Sequence, residues 1–228
     1  MKAFILAAGY GKRLRPLTET TPKPLLTVND KPLIHYHLEK LASLGVTEVV
    51  INAHWLADKL IDALGDGSAF GLNISWSVEE RLLETGGGIR NALDLLGDDT
   101  FLLINGDVYI DYSFDALLSR TLGDSLAHLV LVPNPSHHPA GDFCRDSDGK
   151  IYRKEGSNDF TYAGVALIDP KLVRDWRCED AAFPLLSPLL EAMEQHLLAG
   201  DVHTGLWEDV GTLDRLEALD QKLRGPQE

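Results

Sequence analysis

The segment Lys2-Ala3-Phe4-Ile5-Leu6-Ala7-Ala8-Gly9-Tyr10-Gly11-Lys12-Arg13-Leu14-Arg15-Pro16 decides how the chain is read. Lys2 to Ala7 is a short apolar run that ends in glycines, the pattern of a strand buried in a parallel sheet. Glycines directly after such a strand let backbone amides approach phosphate oxygens, and Lys12 and Arg13 beside them bring neutralising charge. Two phosphate motifs fail here: there is no Gly-Lys-Ser/Thr ending, and Leu14 stands where the dinucleotide fingerprint needs its third glycine. Taken alone, the loop reads equally well as a tight turn with exposed basic residues.

Working outward, the first half alternates between strand and helix patterns. Pro32 to Leu44 has helical spacing through Leu33, Ile34, His37, Leu38 and Leu41, with Gly45 as its C-terminal cap. Val46 to Asn52 reads as a strand, Trp55 to Leu64 as a helix and Leu72 to Val78 as a strand. Thr85 to Leu96 reads as one helix, and Thr100 to Ile104 as a strand running into Asn105-Gly106-Asp107. This βαβ alternation predicts an α/β fold: a Rossmann-like, mostly parallel sheet flanked by helices, with ligands beyond the carboxyl ends of the strands. From Ser125 the texture changes. Leu126 to Val132 is a strand, and short segments at Phe143, Ile151 and Tyr162 to Ile168 predict a small antiparallel substrate subsheet. Pro184 to Ala199 and Leu213 to Leu223 read as helices. With no linker or repeat, residues 1–228 are read as a single domain, 1–125 its nucleotide-binding half and 126–228 its sugar-binding half.

Composition narrows the class. The 228 residues carry a formal charge of -14, which excludes a nucleic-acid-binding surface, and no run is long enough to span a bilayer. Cys144 and Cys178 form no disulfide framework, the first residues lack a signal-peptide core, and the expected compartment is the cytoplasm. The first 18 residues nevertheless contain no acid and hold Lys2, Lys12, Arg13 and Arg15. A basic island on an acidic protein is either a solvated face or a site for a small polyanion.

The loop gains specificity from its length. Gly9, Gly11, Arg13, Pro16, Thr18, Pro22, Lys23 and Pro24 spell G-x-G-x-R-x-x-P-x-T-x-x-x-P-K-P, which resembles the signature of the sugar-1-phosphate nucleotidyltransferases. The prolines stiffen the loop and fix Lys23 relative to Arg13. The resemblance implies transfer of a nucleoside monophosphate from an NTP to a sugar 1-phosphate, with release of pyrophosphate. It implies that Arg13 steadies the pyrophosphate and that Lys23 holds the phosphates of both reactants. It also implies Mg²⁺ on Asp107 and on Asp209 of Trp207-Glu208-Asp209-Val210-Gly211-Thr212. On residue chemistry alone, Asp107 could equally end its strand as an Asx-turn, and Thr212 could cap the last helix.

The remaining expectations follow from the same resemblance. Ala8, Gly9, Gly11, Lys12, Asn105, Ser77 and the Gly86-Gly87 entry to a helix surround the nucleotide, the glycines leaving amides free at the helix N-terminus. Glu79 is a further base-side candidate. Gly141, Asp142, Glu155 and Gly164 face the sugar, although relatives often carry Glu-Lys where this chain has Glu155-Gly156. No general base is expected, because a sugar phosphate is largely dianionic at neutral pH; His35, His37, His137 and His138 are read as structural or solvated. The Leu83-Glu84-Thr85-Gly86-Gly87-Gly88 stretch and the His137 to Phe143 loop look most like members that use UTP and N-acetylmuramate α-1-phosphate in peptidoglycan recycling. Guanylyl transfer to mannose 1-phosphate, cytidylyl transfer to phosphocholine, and a silent sugar-nucleotide-binding homologue are the alternatives.

Overall fold

A computed structural model describes residues 1–225. The strands in chain order are β1 (Ala3–Leu6), β2 (Thr27–Val28), β3 (Lys31–Pro32), β4 (Glu48–Ala53), β5 (Asn73–Val78), β6 (Phe101–Asn105) and β7 (Val108–Ile110). They continue with β8 (Ala127–Pro133), β9 (Cys144–Arg145), β10 (Ile151–Tyr152), β11 (Phe160–Ile168), β12 (Leu198–Val202) and β13 (Trp207–Asp209). Seven of them form one sheet in the order β12-β8-β11-β6-β1-β4-β5. Within it β11 alone runs antiparallel to its neighbours β6 and β8. This is the mostly parallel, helix-flanked sheet that the alternating pattern predicts, and all four strands of the first half end toward the same edge.

The helices are α1 (Leu17–Thr20), α2 (Leu33–Ser43), α3 (Ala57–Leu64), α4 (Glu84–Asn91), α5 (Leu93–Leu96), α6 (Asp115–Leu118), α7 (Lys171–Arg174), α8 (Leu186–Glu194) and α9 (Leu213–Arg224). They cover both faces. Ala3, Ile5, Leu102 and Ile104 point to one face and pack with Ile34, Leu38 and Leu41 of α2 and Leu60 and Leu64 of α3. Phe4, Phe101 and Leu103 point to the other, where Ile89 of α4, Leu172 and Val173 of α7 and Leu189 and Ala192 of α8 meet them. Alternation along each strand makes this two-sided core possible, and each fully buried Leu or Ile contributes about 1.5–3 kcal/mol. A third, smaller cluster joins Leu14, Leu26, Val28, Leu33, Val210, Leu216 and Leu219, seating the C-terminal helix against the glycine-rich loop. Gly45 ends α2 as expected: at φ 76° it lets its own N–H reach Ala42 O (3.1 Å) and the Val46 N–H reach Leu41 O (3.1 Å).

Four local expectations are corrected. Tyr162 to Ile168 belongs to the central sheet as β11, because its apolar residues fit between β6 and β8; only β9 and β10 form a separate antiparallel pair among the segments named for it. The helix expected to Ala199 stops at Glu194, and the chain turns at His196 (φ 59°) into β12, whose apolar start continues the helical pattern by coincidence. The helix over Thr85 to Leu96 divides at Ala92 into α4 and α5. Thr212 occupies the N-cap position of α9 but makes no side-chain cap bond.

One buried polar contact ties the fold to its future site. His37 of α2 is wholly buried and its Nε2–H donates to Val108 O (2.8 Å), while Lys40 Nζ donates to Ile110 O and Tyr112 O (2.9 Å each). Burial pushes the His37 imidazole down to about 4, so it stays neutral in the folded chain. The unfolded imidazole takes its proton near pH 6.5. His37 therefore contributes stability that is complete above that value and falls by about 3 kcal/mol as the pH drops toward 4. Urea denaturation across this window is expected to show a shallower pH dependence for His37→Gln than for the wild type; parallel curves would mean that His37 is protonated in the fold.

Candidate active site

The carboxyl edge of the sheet opens into three adjoining clefts. The first, about 380 Å³, lies beyond β1 and β4 and is lined by Ala7, Ala8, Gly9, Asn52, Leu82, Glu84, Thr85 and Asn105. The second, about 210 Å³, lies in the glycine-rich loop among Gly9, Gly11, Lys12, Arg13, Lys23 and Gly211. The third, about 370 Å³, is lined by Arg13, Asn105, His137, His138, Asp142, Tyr162, Gly164, Trp207 and Asp209. Asp107 lines all three.

The loop takes its shape from contacts that its motif residues make with one another. Gly11 is left-handed (φ 60°), and a Cβ there would come within 2.7 Å of Thr18 Cγ2. The Thr18 hydroxyl donates to Gly11 O (2.8 Å), and Trp55 Nε1–H donates to Thr18 O (2.7 Å). Leu14 anchors the far side in the small third core. Lys23 is drawn inward to an ion pair with Asp107. The Lys12 ammonium lies 5.2 Å from the centre of the Tyr10 ring, a weak attraction that leaves it facing the loop cleft.

Asp107 and Asp209 come together through a ladder that the sequence gives no sign of. β13 pairs antiparallel with β7, placing Asp209 opposite Val108, and the Val210 N–H donates to Asp107 O (3.0 Å). Trp207 Nε1–H holds the ladder to Ala163 O (2.9 Å), beside the irregular stretch of β11 where Gly164 sits at φ 76°. A Cβ on Gly164 would come within 2.8 Å of Asn105 Nδ2, so this glycine clears room for Asn105. Arg215, in the first turn of α9, donates from Nη1 to Asp209 Oδ2 (2.8 Å) and to His137 Nε2 (2.7 Å). His137 accepts that bond as a neutral ring, its basicity lowered first by burial and then by the Arg215 charge.

Behind the first cleft lies a buried polar relay. Asn52 closes β4; its Oδ1 accepts the Ala7 N–H (2.6 Å) and its Nδ2 donates to Glu79 Oε1 (2.7 Å), while Glu79 Oε2 accepts the Leu83 N–H (2.9 Å). The carboxyl ends of β1, β4 and β5 are thereby tied to the entry of α4. The sequence signal for Asn52 is a polar residue within the apolar run from Val49 to Ala53. Arg215 carried no comparable signal, and His137, read as structural or solvated, lines the third cleft.

Of the other expected site residues, only Asp142 lines one of the three clefts. Ser77 is buried with its hydroxyl accepting from Asn91 Nδ2 (3.0 Å). The amides of Gly86 and Gly87 are not free: both donate to Phe183 O (2.9 and 3.1 Å), and the glycines are required because Phe183 and the Ala181 carbonyl pack where side chains would be. Asp142 reaches the third cleft, its Oδ2 accepting the Tyr162 N–H (2.8 Å) and its Oδ1 paired with His138 (3.0 Å). Gly141 makes the turn before it at φ 62°, and Glu155 lies exposed outside the three clefts.

A strand–glycine loop with cations, two carboxylates at one point and clefts on either side define a protein that joins phosphate-bearing reactants. Residues 2–144 match the family described as nucleotidyl transferase, and the chain belongs to that family and is an enzyme of its type. It is 48% identical over 231 residues to the N-acetylmuramate alpha-1-phosphate uridylyltransferase of Neisseria meningitidis, covering 99% of each chain. It is 32% identical to the mannose-1-phosphate guanyltransferase of Candida albicans, covering 92% of this chain and 61% of that longer protein. A Bacillus anthracis chain solved with sucrose and assigned as a glucose-1-phosphate thymidylyltransferase shares the fold, with a TM-score of 0.87 at 22% identity, covering 100% and 97%.

Asn52→Ala tests the relay. It leaves the Ala7 N–H and Glu79 Oε1 buried without partners, and the expected loss is about 2–4 kcal/mol in urea denaturation. A loss below about 1 kcal/mol would show that water replaces the amide.

Proposed function

We propose that the protein transfers UMP from UTP to a sugar 1-phosphate, N-acetylmuramate α-1-phosphate, giving UDP-N-acetylmuramic acid and pyrophosphate. The observation that carries this reading is the convergence of three clefts on Asp107. In it, the first takes the nucleoside, the loop cleft the β- and γ-phosphates, and the third the acceptor, so the α-phosphorus lies where they meet. The choice of UTP and of the acceptor rests on the 48% identical relative. Chain halves 1–125 and 126–228 are read as the nucleotide and sugar sides of one domain, working in the cytoplasm in peptidoglycan recycling. No helix among the described residues is long and apolar enough to cross a membrane.

The geometry suits in-line displacement without a general base. The acceptor phosphate already carries its negative charge, so the barrier lies in bringing two polyanions together and in the charge that gathers on the departing pyrophosphate. Arg13 lines both the loop cleft and the third cleft, where it steadies that pyrophosphate. Lys23, paired with Asp107 in the free protein, exchanges part of that contact for phosphate oxygens of the reactants. Gly9, Gly11 and Lys12 line the phosphate cleft, Ala8 and Asn105 flank the nucleoside, and Asp142 and Gly164 shape the sugar side.

Asp107 and Asp209 fit Mg²⁺. Each is about one-third exposed toward the third cleft and carries a free oxygen besides the one held by Lys23 or Arg215. The two aspartates would leave positions for phosphate oxygens, a donor set that Mg²⁺ accepts. Bound there, Mg²⁺ would supply charge neutralisation on the transferring phosphate.

Pyrophosphate release measured across the common NTPs and several sugar 1-phosphates tests the assignment. UTP with N-acetylmuramate α-1-phosphate is the pair expected to react; another productive pair would move the chain to a guanylyl- or cytidylyltransferase. Binding without release for every pair would favour a silent homologue. Asp107→Asn and Lys23→Ala are each expected to lower turnover by about 100-fold or more without shifting the melting temperature by more than a few degrees. Near-normal turnover in Asp107→Asn would remove the metal assignment.

A further inference from the structure

Glu84 holds a backbone conformation that its side chain disfavours. It lies at φ 59°, as do few other non-glycine residues of the described chain. Asn29, Asp30 and His196 are types that tolerate this region; Leu56 and Glu84 are not, and of these two Glu84 lines the first cleft.

The neighbours of Glu84 dictate that conformation. Before it, the Leu83 N–H is held by Glu79 Oε2 (2.9 Å) and Leu83 O accepts the Phe183 N–H (3.1 Å). After it, Thr85 Oγ1 accepts the Leu185 N–H (2.8 Å), and the Gly86 and Gly87 amides share Phe183 O. A backbone fixed on both sides leaves position 84 no way to relax except by changing residue, and glycine would relieve it. The side chain present is instead a carboxylate that is exposed, makes no hydrogen bond or ion pair among the described residues, and borders the cleft assigned to the nucleoside.

The other polar side chains at that end are committed. Asn52 spends its carbonyl on the Ala7 N–H and its amide on Glu79, and Thr85 Oγ1 already accepts from the strap at Leu185. Lys23 and Asp107 pair with each other at the phosphate end. Apart from Asn105, which lines the cleft on the side of Asp107, Glu84 is therefore the side-chain acceptor left for the hydrogen-bond donors of a nucleoside.

We propose that Glu84 is a nucleotide-specificity residue, its carboxylate accepting hydrogen bonds from the donors of the bound nucleoside, either a ribose hydroxyl or the N3–H of uracil. This rests on reading the first cleft as the nucleoside site. It gives a physical reason for the strained position to be occupied by Glu rather than Gly.

The test is calorimetric binding of UTP with Mg²⁺, in the absence of acceptor, to wild type, Glu84→Ala, Glu84→Gly and Glu84→Gln, beside thermal melts of the free proteins. Kd is expected to rise about 10- to 100-fold in the Ala and Gly variants, and less in Gln, which keeps a weaker acceptor. Free Glu84→Gly should melt about 2–4 °C above Glu84→Ala, the reverse of the order at an ordinary helical position. Repeating the titrations with 2′-deoxy-UTP and with CTP, which lacks the N3–H, separates the two donors. An effect of substitution lost with 2′-deoxy-UTP assigns the ribose, and one lost with CTP assigns the base. Unchanged UTP affinity in Glu84→Ala, with wild type binding normally, would overturn the proposal. Wild type that binds no nucleotide would overturn the nucleoside reading of the cleft, and the role of Glu84 with it.

Discussion

Two carboxylates that stand far apart in the chain must share one spot at the end of a sheet, and a three-residue ladder brings them there. Val108 to Ile110 pairs with Trp207 to Asp209, so Asp209 lies beside the residue that follows Asp107. Most of the surrounding construction serves this short pairing. His37 and Lys40 of α2 hold the carbonyls of β7 from below, Trp207 bonds into the bulged region of β11, and Arg215 on α9 holds the second carboxylate. A three-residue ladder has little strength of its own, and it persists because every neighbouring element packs or bonds against it.

Charge balance follows the same plan. The chain is strongly acidic, yet Lys12, Arg13 and Lys23 line the loop cleft, while Lys2 reaches away to Leu95 O. In the free protein Lys23 faces Asp107 and Arg215 faces Asp209. A partly buried charge without a partner is costly, so the site rests as ion pairs. In the proposed reaction, a bound polyphosphate with its cation would replace those partners without leaving any charge unmatched. On the proposed reading, the Coulombic cost of assembling two anions is met by groups that are already partly buried and oriented.

On the opposite wall, position is fixed by hydrogen bonds rather than charge. Asn52 and Glu79 lock three strand ends to the start of α4, and the segment from Ala181 to Leu185 clasps that helix from outside. Arg90 secures the clasp: its Nε–H donates to Val173 O (2.7 Å), it bonds Trp176 O, and its guanidinium stacks 4.4 Å from the Phe183 ring. The glycines of α4 are there to be packed on, since side chains at Gly86 or Gly87 would strike Phe183 or Ala181.

The parallel sheet, its helix-flanked faces and the glycine-rich loop are legible along the chain, because strand alternation, helical spacing and the spacing of Gly11, Thr18 and Lys23 are local properties. The sequence also marked Asp107, since a polar triplet closing an apolar strand stands out along the chain. It did not determine that Tyr162 to Ile168 would enter the central sheet, or that Leu198 to Val202 would form its edge. Those segments are apolar enough for several placements, and only the space beside β6 and β8 chose between them. The meeting of Asp107 with Asp209, the hold of Arg215, and the burial of Gly86 and Gly87 beneath Phe183 were decided by tertiary structure alone. Each depends on a contact between residues far apart in the chain, and such pairings leave no period or motif in a single sequence.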